Sequence, residues 1–386
     1  MYWWVYFLSF DKLGANVLQY DYVIFGAGIY GLYAAHLLGK KGQKVAVIEY
    51  DDKPLQRASY INQARVHNGY HYPRSVSTAA KSASYYERFS KDFAFSINNR
   101  FKKIYAISAN DSLTNAEQFL NFCDYVNIPA YEVSSKPYFN SGLVEATFET
   151  VEYSYDANII RDWYVEELRK YKNVTIYYQK YLERSIKEEL FTLYFKDGDI
   201  ISTPNILNAT YASVNQVLKK FEYDLFTTKY EICEVIMTKV SSNIKDVGIT
   251  VMDGPFFSLM PFGLGGYHSL TSVGHTPHES SFNSLPQFEC QSYQENCSKD
   301  QLQNCNHCPV KPETAWYRMH QLAKKYLTPE ISISYEGSLF AVKALISSSE
   351  LDDSRPTVIK QFSNSPSFIS VFSGKFNTIY DLEEVL

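Results

Sequence analysis

The sequence predicts an α/β protein in which a parallel sheet carries an inserted antiparallel α+β domain, and three observations predict it. Asp21–Phe25 is an apolar run followed at once by three closely spaced glycines and a helix-spaced pattern. A second apolar run, Val45–Ile48, then closes on Glu49. Over 96–155 and 220–280 apolar and polar residues alternate instead, as in Lys229–Val240 and Gly248–Met252, the pattern of antiparallel strands. At 386 residues the chain also exceeds the usual size of one core, so two joined domains are expected.

The first unit reads as β-turn-α-β. An uninterrupted apolar stretch such as Asp21–Phe25 suits a strand buried on both faces. Ile29, Leu32, Tyr33, His36 and Leu37 fall at helical spacing, and Gly39 and Gly42 mark the end of that helix. Gly26-Ala27-Gly28-Ile29-Tyr30-Gly31 is thus G-x-G-x-x-G between a strand and a helix. The first glycine permits the tight turn, the second lets backbone approach a pyrophosphate, and the third lets helix and strand pack closely. Free N–H groups and the positive end of the helix dipole favour the phosphates. Glu49 stands where a carboxylate accepts from both ribose hydroxyls and repels a 2′-phosphate, which disfavours NADP. The motif alone does not separate FAD from NAD.

Further along, Asp156 caps an amphipathic helix marked by Ile159, Ile160, Trp163, Leu168 and Tyr171. Strands follow at Val174–Tyr178, Leu190–Phe195 and Ile200–Ser202, with an Asp197-Gly198 turn between the last two. A helix from Pro312 through Ala315, Trp316, Met319, Leu322, Ala323 and Tyr326 is stopped by Pro329. Residues 281–311, rich in Ser, Gln, Asn and Cys, read as a surface loop. No internal repeat is present.

Composition narrows the partners. The net charge of -5 and the absence of a Lys/Arg block argue against nucleic acid. Tyrosine is abundant, with 33 residues, which codon bias explains more simply than an aromatic-lined site. The opening MYWWVYFLSF is too short to span a bilayer, which takes about 20 residues, and lacks the cationic start and cleavage site of a secretory signal. A packed N-terminal strand or a mis-assigned start accounts for it, with a peripheral membrane contact as the alternative. No other segment reaches transmembrane length, so a cytoplasmic location is expected. Six cysteines do not make a disulfide scaffold.

The segment after the second strand carries a resemblance. Ala58-Ser59-Tyr60-Ile61-Asn62-Gln63-Ala64-Arg65-Val66-His67-Asn68-Gly69-Tyr70-His71-Tyr72 resembles the flavin-contacting segment of the D-amino-acid-oxidase-like FAD superfamily. It is most similar to the branch of glycerol-3-phosphate dehydrogenase and L-2-hydroxyglutarate oxidase, which place a Ser, a polar residue and His-x-Gly with an aromatic at this spacing. Ile206-Leu207-Asn208-Ala209-Thr210 looks like the family's strand end beside the FAD, with Thr210 in place of the usual glycine and Tyr211 after it. Asp352-Asp353-Ser354-Arg355-Pro356 resembles a segment whose arginine faces substrate in several members. Ser373-Gly374-Lys375-Phe376-Asn377-Thr378 is similar to the G-G-K-x-T-T turn over the pyrophosphate and ribityl chain. Asn68 and Ser373 also depart from the small residues usual there.

The resemblance implies a Rossmann-type FAD-binding domain assembled from residues 20–95, 156–215 and 330–386, with 96–155 and 216–329 forming the substrate domain. It implies FAD contacts at Gly26, Gly28, Ile29, Tyr30, Gly31, Glu49, Ser59, Asn62, Arg65, Ala209, Thr210, Gly374, Lys375, Asn377 and Thr378. His67 and His71 are the candidate proton partners, since imidazole titrates near neutrality. The alternatives are a backbone hydrogen bond beneath the flavin or, for His67, covalent attachment of FAD. Arg355 is the candidate clamp for a carboxylate or other anion, against a structural ion pair with Asp352 or Asp353. Lys343 either faces the active site or snorkels. Tyr267 and His268 belong to strands on the flavin's other face.

Cys290, Cys297, Cys305 and Cys308 are spaced C-x6-C-x7-C-x2-C. Four thiolates can complete a tetrahedron around Zn2+, with His307 as a substitute ligand; an iron–sulfur centre or free thiols are the alternatives.

The implied activity is FAD-dependent oxidation of a small polar metabolite, a hydroxy acid or an amine, by hydride transfer to flavin N5, with oxygen or a carrier as electron acceptor. Similarity to members placed in surface-polysaccharide pathways adds sugar-linked substrates. Two other readings stand beside it: a flavin-dependent non-redox sugar mutase, although Pro54-Leu55-Gln56-Arg57 stands where mutases carry Gly-Gly-Asn, and a catalytically silent FAD-binding scaffold.

Overall fold

The computed structural model describes residues 17–346 and 355–386; the apolar N-terminal decapeptide and the Asp352-Asp353 pair lie outside the described residues. The β-turn-α-β unit forms as its sequence requires. Tyr22–Phe25 and Val45–Ile48 pair in parallel, and every residue of the second strand is buried. They sit at the centre of a six-stranded sheet in the order Val174–Tyr177, Val45–Ile48, Tyr22–Phe25, Asn205–Asn208, Ser367–Phe372, Val358–Asn364. All neighbours are parallel except the last pair. Helix Ile29–Lys40 packs Leu32, Ala35 and Leu38 onto Val45 and Val47 and onto Ile160 and Leu168 of helix Ala157–Arg169. Asp156 Oδ1 starts the latter helix by accepting from the amides of Asn158 and Ile159 at 3.0 and 3.4 Å, satisfying two donors that no helical carbonyl can reach.

Two glycines fix the turn between strand and helix. Gly26 has φ +95, a left-handed value that glycine adopts without steric cost. At Gly31 a β-carbon would stand 1.8 Å from the carbonyl oxygen of Gly26, so any side chain there would prise the helix off the strand.

The second large element is a nine-stranded sheet. Its path runs Pro277–Ser281, Thr228–Val240, Tyr267–Ser272, Phe257–Phe262, Val247–Met252, Lys102–Ser108, Val144–Thr150, Ala130–Glu132. The pairings are antiparallel apart from Val247–Met252 on Lys102–Ser108. The ninth strand, Ile333–Ile346, pairs with Thr228–Val240 along its length. That strand therefore belongs to this sheet, although the resemblance groups residues from 330 onward with the FAD-binding part. Leu182–Lys187, Phe191–Phe195, Ile200–Thr203 and Val17–Gln19 make a separate four-stranded sheet.

Among the described residues, two helices of ten residues or more lack an expectation, as does the short helix Val214–Lys220. Val76–Asp92 buries Thr78, Ala79, Ser82, Tyr86 and Phe89; three of these are small or hydroxylic, so the large-apolar periodicity that reveals most helices is weak. Ala116–Tyr125 lies within a region expected to be all strand. It starts with a reciprocal cap between Asn115 and Gln118 and buries Phe119, Phe122 and Cys123. Among the described residues no helix is long and apolar enough to cross a membrane.

Gly31→Ala is expected to cost about 3 kcal/mol by overpacking the helix–strand contact, read as a lowered urea midpoint. A midpoint equal to wild type would contradict the close-packing account.

Candidate active site

A cavity of roughly 430 Å3 starts at the glycine turn and extends to the face of the nine-stranded sheet. Gly26, Gly28, Ile29, Tyr30 and Glu49 line its first end; Gly31 lies behind them in the helix contact. The amide of Ile29 donates to Ser59 Oγ at 3.1 Å. The next two amides of the helix, on Tyr30 and Gly31, have no acceptor among the described residues. Glu49 accepts from the amides of Ala27, Tyr50 and Asp51 at 2.7, 2.7 and 2.9 Å. Burial raises the Glu49 carboxyl, against the pull of Arg57 and these amides.

Next to Glu49, Arg57 forms a bidentate pair with Asp51 at 2.9 and 2.8 Å and reaches the carbonyl of Leu302 at 3.1 Å. Asn304 donates to the same carboxylate at 3.2 Å. One edge of the cavity is thus built from the long loop, which sequence periodicity leaves blank.

The other end gathers Arg65, His67 and His71, Lys343, Arg355 and Lys375 on the cavity wall. Arg65 and Val66 pair with Ser154 and Tyr153, which carries the histidine segment onto the sheet side. Burial, then Lys375, pushes His67 down to about 4; burial, then Arg65, holds His71 well below its ordinary value. Both imidazoles are neutral at physiological pH. Lys343 pairs with the buried Glu231 at 3.4 Å, directly opposite it across the strand pair. Between these groups Gln63 donates to Thr271 Oγ1 at 2.6 Å, and Cys233, Val235 and Ala341 supply apolar wall.

The C-terminal turn closes the roof. A β-carbon on Gly374 would stand 1.9 Å from the carbonyl oxygen of Arg355, so the turn and the Arg355 segment are in direct backbone contact. Lys375 Nζ lies 3.7 Å from the centre of the Tyr72 ring, and burial holds it well below its usual range. Asn377 and Thr378 do not line the cavity. Asn377 donates to the carbonyls of His67 and Ser82 at 3.2 Å, while Thr378 bonds Tyr30 Oη at 2.7 Å. These two residues tie the roof to the histidine segment and to the first helix.

The Thr210 departure is accommodated locally. Thr210 turns its hydroxyl onto Asn208 Oδ1 at 2.6 Å, and the left-handed backbone falls one residue later, on Tyr211 at φ 51. Tyr211 is held there by its hydroxyl, which bonds the backbone of Ala344. Ala209 and Thr210 still line the cavity. Asn62 lines it too, but its side chain folds the loop by bonding Ala58, Ser59, Ala64 and Tyr155.

The cysteine expectation is corrected. Among the described residues no group of three or more His, Cys, Asp or Glu side chains is placed to hold a metal ion, and Cys290, Cys297, Cys305 and Cys308 are free. The loop presses Cys290, Cys297 and Cys305 onto the apolar cluster around Phe288, Leu302 and Phe340. Burial, helped by the neighbouring cysteine sulfurs, pushes Cys305 up to about 12 and Cys290 to about 11, as suits free thiols packed against apolar side chains. Cys305 alone of the four lines the cavity. His307 lies outside it. His268 also lies away from the cavity, buried with Nε2 3.1 Å from the Val247 carbonyl oxygen, and Tyr267 borders a smaller surface hollow.

Comparison with known proteins agrees with this architecture. The family model described as FAD dependent oxidoreductase (DAO) matches residues 21–296. The chain belongs to this DAO family of FAD-dependent oxidoreductases. A curated relative, the FAD-dependent monooxygenase FPY4 of Fusarium mangiferae, is 26% identical over 260 residues, covering 66% of this chain and 64% of the relative. The chain thus spans less than two thirds of that protein's length. L-alpha-glycerophosphate oxidase from Mycoplasma pneumoniae with FAD bound shares the fold at TM-score 0.69 and 13% identity, over 94% of this chain and 91% of the oxidase. Glycine oxidase from Geobacillus kaustophilus does so at TM-score 0.66 and 11% identity, over the same shares.

This FAD-dependent oxidoreductase surrounds its cavity with residues that no motif marks: Asp51, Arg57, Thr271, Cys233 and Asn304. Of these, only the Asp51–Arg57 spacing within one loop offers a sequence signal.

Acid should destabilise the protein in a defined window. His67 and His268 sit at about 4, and His71 is held well below the ordinary value of 6.5. The unfolded chain therefore binds more protons, and stability falls as pH drops from 6.5 toward 4, by about 1 kcal/mol per pH unit for each histidine. Urea midpoints measured across that window should fall less steeply in His67→Gln than in wild type; identical slopes would contradict the neutral, buried His67.

Proposed function

We propose that this enzyme oxidises a small polar metabolite, namely a hydroxy acid, an amine or a sugar-linked compound, by hydride transfer to FAD, with oxygen or a carrier as the final electron acceptor. The observation that carries the reading is one cavity lined by the glycine turn and Glu49 and also by His67, His71, Lys343 and Arg355. Bound FAD supplies the redox chemistry, and the protein supplies binding, orientation and proton handling.

The chain's own groups divide that work. The unpaired amides of Tyr30 and Gly31 and the helix start suit the diphosphate. Glu49, already fixed by three backbone donors, keeps lone pairs for ribose hydroxyls. Ser59, Asn62, Arg65, Ala209, Thr210, Gly374 and Lys375 border the remaining length of the cofactor. At the far end His67, neutral and with one ring edge on the cavity, accepts the proton released when a hydroxyl or amine is oxidised. His71 lies beside it, with ring centroids 6.3 Å apart. Arg355 holds an anionic or polar group of the substrate, and Lys343 marks the sheet side of the chamber. Nothing favours the mutase reading: Arg57, in the segment where mutases carry Gly-Gly-Asn, is spent on Asp51 and Leu302. The scaffold reading loses its motive, since Thr210 leaves the cavity open.

Anaerobic addition of 2-hydroxy acids, primary and secondary amines, and amino sugars to the FAD-loaded protein should bleach the visible flavin band with at least one class. His67→Ala and Arg355→Ala should each lower kcat roughly 100-fold or more while retaining FAD. A purified protein that takes up no FAD, or variants that bleach as fast as wild type, would contradict the proposal.

A further inference from the structure

Behind His67 lies a carboxylate that no sequence pattern announces. Glu152 sits between strands Val144–Thr150 and Tyr153–Tyr155, its side chain fully buried. Its Oε2 accepts from Tyr105 Oη at 2.9 Å and stands 3.7 Å from Arg65 Nη1. Arg65 is anchored in turn: its Nη1 donates to Tyr105 Oη at 3.3 Å and its Nη2 to Thr250 Oγ1 at 2.8 Å, and Thr250 Oγ1 also accepts from Lys103 Nζ at 2.5 Å. The other oxygen, Oε1, faces His67 Nδ1 at 3.3 Å. Both of these atoms are buried, and neither meets hydrogen-bond geometry with any group among the described residues, each other included, so each is a polar atom left facing the other.

The approach is imposed by the backbone. Arg65 and Val66 pair with Ser154 and Tyr153 on one side of Glu152. On its other side, Asn68 Nδ2 donates to the Val151 carbonyl at 3.0 Å, and the Val151 amide donates to Tyr70 Oη at 3.3 Å. The imidazole therefore has one edge against the carboxylate and the other toward the cavity. Two acceptors facing each other in a dry site would both go unpaired, which is unfavourable. A carboxylate opposite Nδ1 thus requires Nδ1 to carry the proton.

We propose that Glu152 is a positioning residue: it fixes neutral His67 as the Nδ1–H tautomer and so presents the Nε2 lone pair to the cavity. The inference deepens the functional reading above and rests on it for the use made of Nε2, which accepts the hydroxyl or amine proton that the oxidation releases. The groups facing His67 agree. Lys375 and Arg65 oppose a second proton on the ring, as does burial, while Glu152 favours one; His71 is likewise held neutral. Burial alone would raise Glu152, but His67, Arg65 and Lys103 outweigh it and keep the carboxyl well below its ordinary range. Tyr105, kept protonated by burial and by Glu152, remains a donor.

The test reads the tautomer directly. FAD-loaded protein carrying 15N-histidine is examined by long-range proton–nitrogen NMR at neutral pH, with the His67 signals assigned by their loss in His67→Gln. Wild type is expected to show a protonated Nδ1 and an unprotonated Nε2. In Glu152→Gln the amide oxygen stays with its donor Tyr105 and beside the Arg65 cation, which turns the amide NH2 toward His67. The tautomer should then invert. A merely structural role for Glu152 would lower stability and leave the tautomer unchanged. A wild-type Nε2–H tautomer, or an Nδ1–H tautomer that survives Glu152→Gln, would overturn the proposal; should the variant fail to fold, the wild-type spectrum decides alone. The readout needs no substrate, so a failure to bleach the flavin would count against the functional reading and not against this one.

Discussion

The contact between the Gly26 carbonyl and Gly31 is the constraint on which the site depends. The helix can begin close to the strand end only because position 31 has no side chain. That closeness aims the first free amides of the helix at the cavity and brings Ser59 onto Ile29. It also lets Tyr30 reach the C-terminal turn through Lys375 and Thr378. Residues some 350 positions apart in the chain are thereby joined around one binding cleft. Were the helix displaced by even one methyl group, the roof, the cradle and the Glu49 cluster would no longer share one geometry.

Charge is distributed unevenly along the cleft, and the asymmetry follows from burial. Near Glu49 the acidic and basic groups cancel locally, with Arg57 locked to Asp51. At the far end cations predominate: Arg65, Lys375 and the Arg355 segment face two neutral histidines, and Glu152 is the buried carboxylate among them. Such a chamber disfavours further positive charge and favours an anion or an electron-rich group. Its wall toward the nine-stranded sheet is largely apolar and is formed by strands paired across Glu231 and Lys343. A small polar substrate would thus meet polarity from one side and packing from the other.

Local signals were legible and non-local ones were not. Gly26, Gly28, Gly31 and Glu49 declare themselves because one β-turn-α-β unit contains both the motif and its setting. The histidine segment declares itself by its resemblance to a known family. Asn377 and Thr378 stand at the expected place in the chain, yet their side chains turn inward as tethers, a choice set by Tyr30, Ser82 and His67 from distant segments. Spacing suggested a metal at the four cysteines; spacing does not fix where thiols point, and the apolar cluster beneath the loop claims three of them. Strand Ile333–Ile346 has a pattern compatible with either sheet, and its partner lies about a hundred residues earlier. Glu152 comes from a connection between strands, and Thr250 and Lys103 from two further strands, so no linear pattern could group them.

The central claim is that the cleft is built around the whole dinucleotide, with the glycine turn and Glu49 gripping its adenosine and diphosphate half. Comparing the affinity of the flavin-free protein for FAD and for FMN tests this most directly, because FMN keeps the isoalloxazine ring and loses the adenosine. The account predicts that FMN binds at least ~100-fold more weakly, a difference of about 2.7 kcal/mol. Equal affinities for the two flavins would contradict it.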